Sequence, residues 1–301
     1  MKLEHIRGNT WAFVSWEWIP FYKLDDRHCI LLDTGLADQR EDLEEALQKA
    51  GLTPVGILCT HAHIDHMGNN AFLREKYGIQ VAMTLGEAGL LSSRTGLTYQ
   101  NIHQTAMDLD ADIFRRDVTM TADRIIMPQD QRFLFCGVEF GILHTSGHTI
   151  DHICVRTPDD VLYLSDAVMT GRTLHNSKFP FAVRVKDYFD SMELVRRERA
   201  ALYLAAHEGV YTEMDGIVDE AKKVLTDRLR EYLALLDDRT ATTQLASRIC
   251  RLNYIQGKTV ADLSYYTLAS QAYLNYFREM GAAEVFFEDN RLLYRPTGKP
   301  L

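Results

Sequence analysis

No stretch of the chain approaches the roughly 18 uninterrupted apolar residues that a membrane-spanning helix needs, which argues against a transmembrane segment. The opening MKLEHIRGNTWAF has neither an apolar segment nor a small-residue cleavage site, so no signal peptide is expected there. Cysteines are few: Cys29, Cys59, Cys136, Cys154 and Cys250 are an odd, scattered set without a CxxC pair. That pattern does not suit a disulfide scaffold and reads as buried, reduced thiols in a cytoplasmic protein. Positive charge is also scarce, with 33 Lys and Arg against 42 Asp and Glu and a formal net charge of −9. An acidic surface repels phosphate backbones, which counts against nucleic acid and anionic membranes as partners. What is abundant is apolar material, 46% of 301 residues, enough for a large core in one or two domains.

Strand-like and helix-like segments alternate along the first part of the chain, the pattern of an α/β fold. Residues 10–33 read as two strands, carried by WAFVSW and HCILLDTG. A helix over 38–50 places Leu43, Ala46, Leu47 and Ala50 on one face and stops at Gly51. VGILCT at 55–60 is a short buried strand, and IQVAMT is another beyond a helix ending near 78. Residues 84–120 interrupt the alternation and read as a helical insertion, with Tyr99, Ile102, Met107 and Phe114 as packing points. RIIMP, RFLFC, VEFGILHT, HICVRT and VLYLSD then suggest a β-meander, and a helix at about 187–200 precedes the strand LYLAA. From about 215 the texture changes to three helical stretches and a hairpin around Glu288–Asn290. This order is winged-helix-like, but the piece is near electrical neutrality, unlike a DNA-reading domain. The division expected is a catalytic domain over 1–212 and a helical domain over 213–301.

The string that carries chemistry is His61-Ala62-His63-Ile64-Asp65-His66. In an extended loop, residues two apart point the same way, so His61 and His63 can converge on one ion. Asp65 and His66 fall where the next helix begins and can hold a second. Three imidazoles and a carboxylate suit zinc or another borderline first-row metal. Four residues do not complete two metal shells, so further ligands are expected at other strand ends. His148 follows VEFGILHT, Asp166 follows VLYLS and His207 follows LYLAA, each a ligand-type side chain directly after an apolar β run.

With these motifs over roughly residues 10–210, the sequence resembles the metallo-β-lactamase superfamily. The resemblance implies an α/β fold of αββα type, two sheets sandwiched between helices. It also implies His61, His63 and His148 as ligands of a first divalent ion and Asp65, His66 and His207 as ligands of a second. Asp166 is then the bridging carboxylate, and Asp33 in LLDTG supports the metal loop from behind. The implied activity is that of a dinuclear hydrolase, with zinc favoured and iron or manganese as alternatives. Two such ions about 3.5–4 Å apart share one hydroxide and lower the pKa of water from about 15.7 to about 7. At about 1.36 kcal/mol per unit, this stabilises the hydroxide by roughly 12 kcal/mol. Asp65 has a second expected role, relaying a proton to the leaving group.

Other candidates are weaker. His152 reads as a hydrogen-bonding support beside the ligands, and His175 and Lys178, in GRTLHNSKFPF, as substrate contacts. His144 reads as packed, and His5, His28 and His103 as uninvolved. Asp166 counts against β-lactam hydrolysis, since class B1 and B2 enzymes carry Cys in its place and class B3 enzymes Ser. Glyoxalase II-like thioesterases share the ligand set, but their glycine-rich basic glutathione stretch is not found here. The expected substrate is a small ester-like molecule, thioester or lactone. The alternatives are a phosphodiesterase or nuclease and a mononuclear-iron persulfide dioxygenase-like oxidoreductase. The insertion and the C-terminal piece are the surfaces available for a homodimer.

Overall fold

The computed structural model describes residues 1–97 and 118–301. Tyr99, Ile102, His103, Met107 and Phe114 lie outside the described residues. One sheet holds seven strands in chain order: β1 (Lys2–Arg7), β2 (Thr10–Val14), β3 (Trp18–Lys23), β4 (His28–Leu32), β5 (Thr53–Leu58), β6 (Gln80–Thr84) and β7 (Arg124–Ile126). β1 to β4 are antiparallel, and β4 to β7 are parallel. The second sheet holds β8 (Arg132–Phe135), β9 (Val138–His144), β10 (Ile153–Arg156), β11 (Val161–Ser165), β12 (Leu202–Ala205) and β13 (Gly209–Tyr211). β8 to β11 form an antiparallel meander, while β12 returns parallel to β11; RIIMP, expected in the meander, is instead β7 at the edge of the first sheet, parallel to β6.

Strand periodicity explains the layering. Along β4, Ile30 and Leu32 point between the sheets, while Cys29 and Leu31 point to the outer face. The same alternation sends Val161 and Tyr163 of β11 inward and Leu162 and Leu164 outward. Both faces of these central strands are therefore buried, which is why they read as unbroken apolar runs. α1 (Arg40–Ala50), α3 (Asn70–Tyr77) and α4 (Leu85–Leu91) cover the first sheet. The second sheet is covered by α6 (Val185–Arg197) and, beyond it, α7 (Asp215–Leu233), α8 (Thr242–Leu252) and α9 (Val260–Glu279). Two short helices, α2 (Ile64–Met67) and α5 (Gly171–Asn176), lie in loops at one rim. The result is the αββα sandwich the sequence suggested, and Gly51 closes α1 in the left-handed conformation with φ 68°.

Residues 10–33 contain three strands rather than two. Pro20 masked β3, because proline inside an apolar run argues against a strand. It is tolerated because the β3–β4 ladder starts at Phe21. β1, mostly exposed, carries no apolar signal in the sequence.

The C-terminal helices share one continuous apolar cluster with the outer face of the second sheet. Leu225 and Leu229 of α7, Ile249 of α8 and Phe277 of α9 join Leu162, Leu164 and Met192 in it. The hairpin β14 (Ala283–Glu288) and β15 (Arg291–Pro296) turns at Asp289 and Asn290, both at positive φ as a two-residue type I′ turn requires. All five cysteines are free thiols. Among the described residues no helix is long and apolar enough to cross a membrane. Phe277→Ala is expected to cost about 3–5 kcal/mol. Because the cluster is shared, denaturant unfolding of that variant should remain one transition; separate transitions for the two parts would contradict the shared core.

Candidate metal centre

The sequence places its ligand-type side chains just beyond strand ends, and the two sheets bring those ends to one rim. His61 and His63 leave β5, Asp65 and His66 ride on α2, and His148 follows β9. Asp166 follows β11 and His207 follows β12. In HTSGHTIDH the turn depends on Gly147, at φ 123°: a Cβ there would come within 2.2 Å of the Tyr188 backbone nitrogen.

Among the described residues three sets of ligand-type atoms form, two facing the cavity and a third, Glu17, Asp33 and His66, fully buried behind them. His61, His63, His148 and Asp166 offer atoms all within 4.8 Å of one another, and so do Asp65, His66 and His207. His61 Nε2 and His148 Nε2 each lie 3.0 Å from His63 Nδ1. A tetrahedral zinc with Zn–N bonds of about 2.0–2.1 Å has ligand–ligand edges of about 3.3 Å. Asp166 Oδ2 lies 3.2 Å from His148 Nε2 and 3.5 Å from His66 Nε2, while its Oδ1 lies 3.3 Å from His207 Nε2. One carboxylate thus faces both sets. Asp65 Oδ2 is 3.7 Å from His207 Nε2 and 3.9 Å from His66 Nε2.

The electrostatics suit a cation: His61 and His63 are held neutral, while the acids around His66 and His207 draw positive charge to that side. Burial, with the neighbouring imidazoles behind it, holds His61, His63 and His152 well below the usual histidine range. Their rings are neutral at pH 7, with lone pairs available. Burial also opposes charge on His66, but Glu17, Asp166 and Asp65 outweigh it and raise that group. Asp166 is desolvated too, yet His66, His148 and His207 hold it well below the carboxylate range. His66 Nε2 and His207 Nδ1 are buried without a hydrogen-bond partner. Inward-facing lone pairs and an orphaned Nε2 beside two carboxylates fit a bound divalent ion.

Hydrogen bonds from behind fix the rings. Asp33 accepts from the Thr60 backbone N–H at 2.7 Å, Thr60 Oγ1 at 2.8 Å and Tyr163 Oη at 2.8 Å, and lies 2.9 Å from His66 Nδ1. His152 Nε2 accepts from the Asp166 backbone N–H at 3.3 Å, which leaves Nδ1 protonated toward Thr145 Oγ1 at 2.8 Å. Two buried carboxylates were missed from the sequence. Glu87 on α4 accepts from Ala62 N–H at 2.9 Å, Thr149 Oγ1 at 2.7 Å and Asp151 N–H at 3.0 Å, tying the two histidine loops together. Glu17 lies 3.2 Å from His66 Nδ1. The available signal was a lone acid inside an apolar segment, LGEAGLL for one and SWEWI for the other.

A cavity of about 300 Å³ opens on Asp65, His63, His148, Asp166 and His207. Its far walls are Trp16, Val168, Met169, Phe181, Tyr188 and Tyr265. His175 and Lys178 are not among them, contrary to expectation. His175 pairs with Glu220 at 2.8 Å on the exposed surface, and Lys178 points to solvent while its carbonyl accepts from Tyr232 Oη. The loop reaches the cavity through Thr173, Ser177 and Phe181 instead. His144 is half-buried, 3.0 Å from the Asp130 carbonyl and outside the site.

Comparison with known proteins bears on the same rim. The family model described as "Metallo-beta-lactamase superfamily" matches residues 21–207. A hydroxyacylglutathione hydrolase of Rhizobium meliloti is 26% identical over 133 residues, 44% of this chain and 41% of that protein. The probable metallo-hydrolase YqgX of Bacillus subtilis is 33% identical over 72 residues, 24% of this chain and 33% of that one. The chain thus spans less than half the length of these curated relatives. The metallo-beta-lactamase family protein TTHA1429 of Thermus thermophilus superposes with a TM-score of 0.70 at 22% identity, covering 93% of each chain, a likeness of fold. With the family match spanning most of the sandwich and every strand end that bears a ligand-type residue, the chain belongs to the metallo-β-lactamase superfamily and carries its metal-binding, hydrolase-type fold.

Proposed function

We propose that the chain is a dinuclear metal-dependent hydrolase, most readily loaded with zinc, acting on a small ester-like, thioester or lactone substrate. The observation that carries this reading is the Asp166 carboxylate, whose oxygens face imidazoles of both ligand sets at 3.2–3.5 Å. His61, His63 and His148 would hold one ion, and Asp65, His66 and His207 the other, with Asp166 between. When bound, such a pair supplies water with a pKa near about 7 and a Lewis acid for a carbonyl oxygen. The full second set, Asp65 with His66 and His207, favours this over a mononuclear iron site.

The chain's own residues do the rest. Asp33 and His152 hold the His66 ring and the Asp166 backbone in place, so little reorganisation accompanies the reaction. Asp65 lines the cavity, where its carboxylate could take a proton from the attacking water and pass it to the departing alkoxide or thiolate. The aromatic walls, Trp16, Phe181, Tyr188 and Tyr265, offer an apolar acyl or aryl group a place and exclude water from the reacting carbonyl. Similarity to a hydroxyacylglutathione hydrolase supports an acylated small molecule. Among the described residues no Lys or Arg lines the cavity, which favours ester-like substrates over phosphodiesters.

Three outcomes are expected. Asp166→Ala should express as folded protein, hold fewer than two ions per chain by atomic emission, and hydrolyse ester, thioester and lactone panels at near background rates. Two tightly held ions in that variant would refute the bridging role. Zinc present at 100 times its Kd adds about 2.7 kcal/mol to stability, so a chelator should lower the melting temperature and zinc restore it. Tyr265→Ala should raise KM for long-chain or aryl esters by about ten-fold, equivalent to about 1.4 kcal/mol, with metal content unchanged; an unaltered chain-length profile would remove Tyr265 from the substrate wall.

A further inference from the structure

Glu17 lies in the β2–β3 connection and is fully buried. Neither of its carboxylate oxygens has a hydrogen-bond partner, although Oε1 stands 3.2 Å from His66 Nδ1. An isolated carboxylate out of water is strongly disfavoured, so its charge needs a cation nearby. Among the described residues its one ion-pair partner is His66. The Nδ1 of that ring already faces Asp33 Oδ2 at 2.9 Å. Burial pushes the Glu17 carboxyl well above the usual carboxylate range, with His66 opposing and Asp65, Asp33 and Asp166 adding to it, so a cation on the other side of the ring is what would hold its charge. There Nε2 is orphaned and looks toward Asp166 at 3.5 Å and Asp65 at 3.9 Å.

The rest of the connection has the same orientation. The Trp16 ring packs on the His207 imidazole with centroids 4.7 Å apart. Ser15 Oγ donates to the Glu17 carbonyl at 2.8 Å, and the Trp18 N–H donates to the Ala206 carbonyl at 2.7 Å, next to His207. Two consecutive side chains thus back the two imidazoles of the Asp65–His66–His207 set rather than those of His61 and His148.

We propose that Glu17 is a positioning residue that acts through His66 as a buried counter-charge, retaining the cation held by Asp65, His66 and His207 and leaving the other ion's affinity untouched. This rests on the dinuclear reading above. The test uses zinc-loaded full-length protein challenged with graded dipicolinate, with zinc remaining per chain read by mass spectrometry. Cobalt substitution gives an independent spectroscopic view of the more weakly held ion.

Wild-type protein should release its two ions in two steps. In Glu17→Gln, the weaker step should move to about 10–100-fold lower chelator, the usual cost of losing a partner behind a metal ligand, while the tighter step stays in place. Glu17→Asp, which keeps the charge but withdraws it by one methylene, should fall between. Release curves for Glu17→Gln that match wild type, or that shift both steps equally, would overturn the inference. Should Glu17→Gln not fold, Glu17→Asp carries the test, and retention equal to wild type overturns it. Wild-type protein that loads only one ion would overturn the dinuclear reading itself, and this inference with it.

Discussion

Both oxygens of the Asp166 carboxylate face imidazole nitrogens that belong to different loops, Oδ2 toward His148 and His66 and Oδ1 toward His207. Holding so many lone pairs and charges together out of water is costly unless cations join them, and the fold carries that cost through rigid supports. Asp33 is the clearest of these. It joins β4 to Tyr163 on β11, to Thr60 beyond β5 and to His66 on α2, linking both sheets to one ring. Hydrogen bonds to a charged group contribute about 1.5–3 kcal/mol each, enough to hold local strain. Asp33 and Ser165, both non-glycine residues at positive φ (66° and 49°), flank the centre at the ends of β4 and β11.

What could be read in the sequence follows from how far each signal reaches. His61, His63, Asp65 and His66 fall within six residues, so their spacing alone announces a metal loop. His148, Asp166 and His207 are distant in the chain, yet each ends an apolar strand, and parallel strands bring their ends to a common rim. The supporting groups have no such marker. Tyr163 reaches Asp33 across 130 positions, and Glu87 meets Thr149 across 62, pairings that only the packing of two sheets creates. β3 was hidden by Pro20, and the loop that carries His175 and Lys178 turns Phe181 toward the cavity and leaves those two exposed, a difference that spacing along the sequence does not show.

The C-terminal helices bear on chemistry through that same loop. Tyr232 of α7 donates to the Lys178 carbonyl, Tyr265 of α9 to the Phe179 carbonyl at 2.7 Å, and Tyr273 of α9 to the Pro180 carbonyl at 3.0 Å. Three consecutive carbonyls are thus held by three tyrosines from one layer. The residue that follows, Phe181, is set against His63 and His148 at centroid distances of 5.5 and 5.9 Å. Its ring stacks on Tyr265 at 5.6 Å. Buried hydroxyls gain most where they satisfy carbonyls that would otherwise be left without partners, so these contacts serve stability first. They also reach the cavity: the wall beside His63 and His148 is shaped by helices outside the sandwich. Because the Phe181 carbonyl also lies 3.3 Å from His148 Nδ1, α9 shapes this wall and at the same time steadies one of the ligand-type imidazoles.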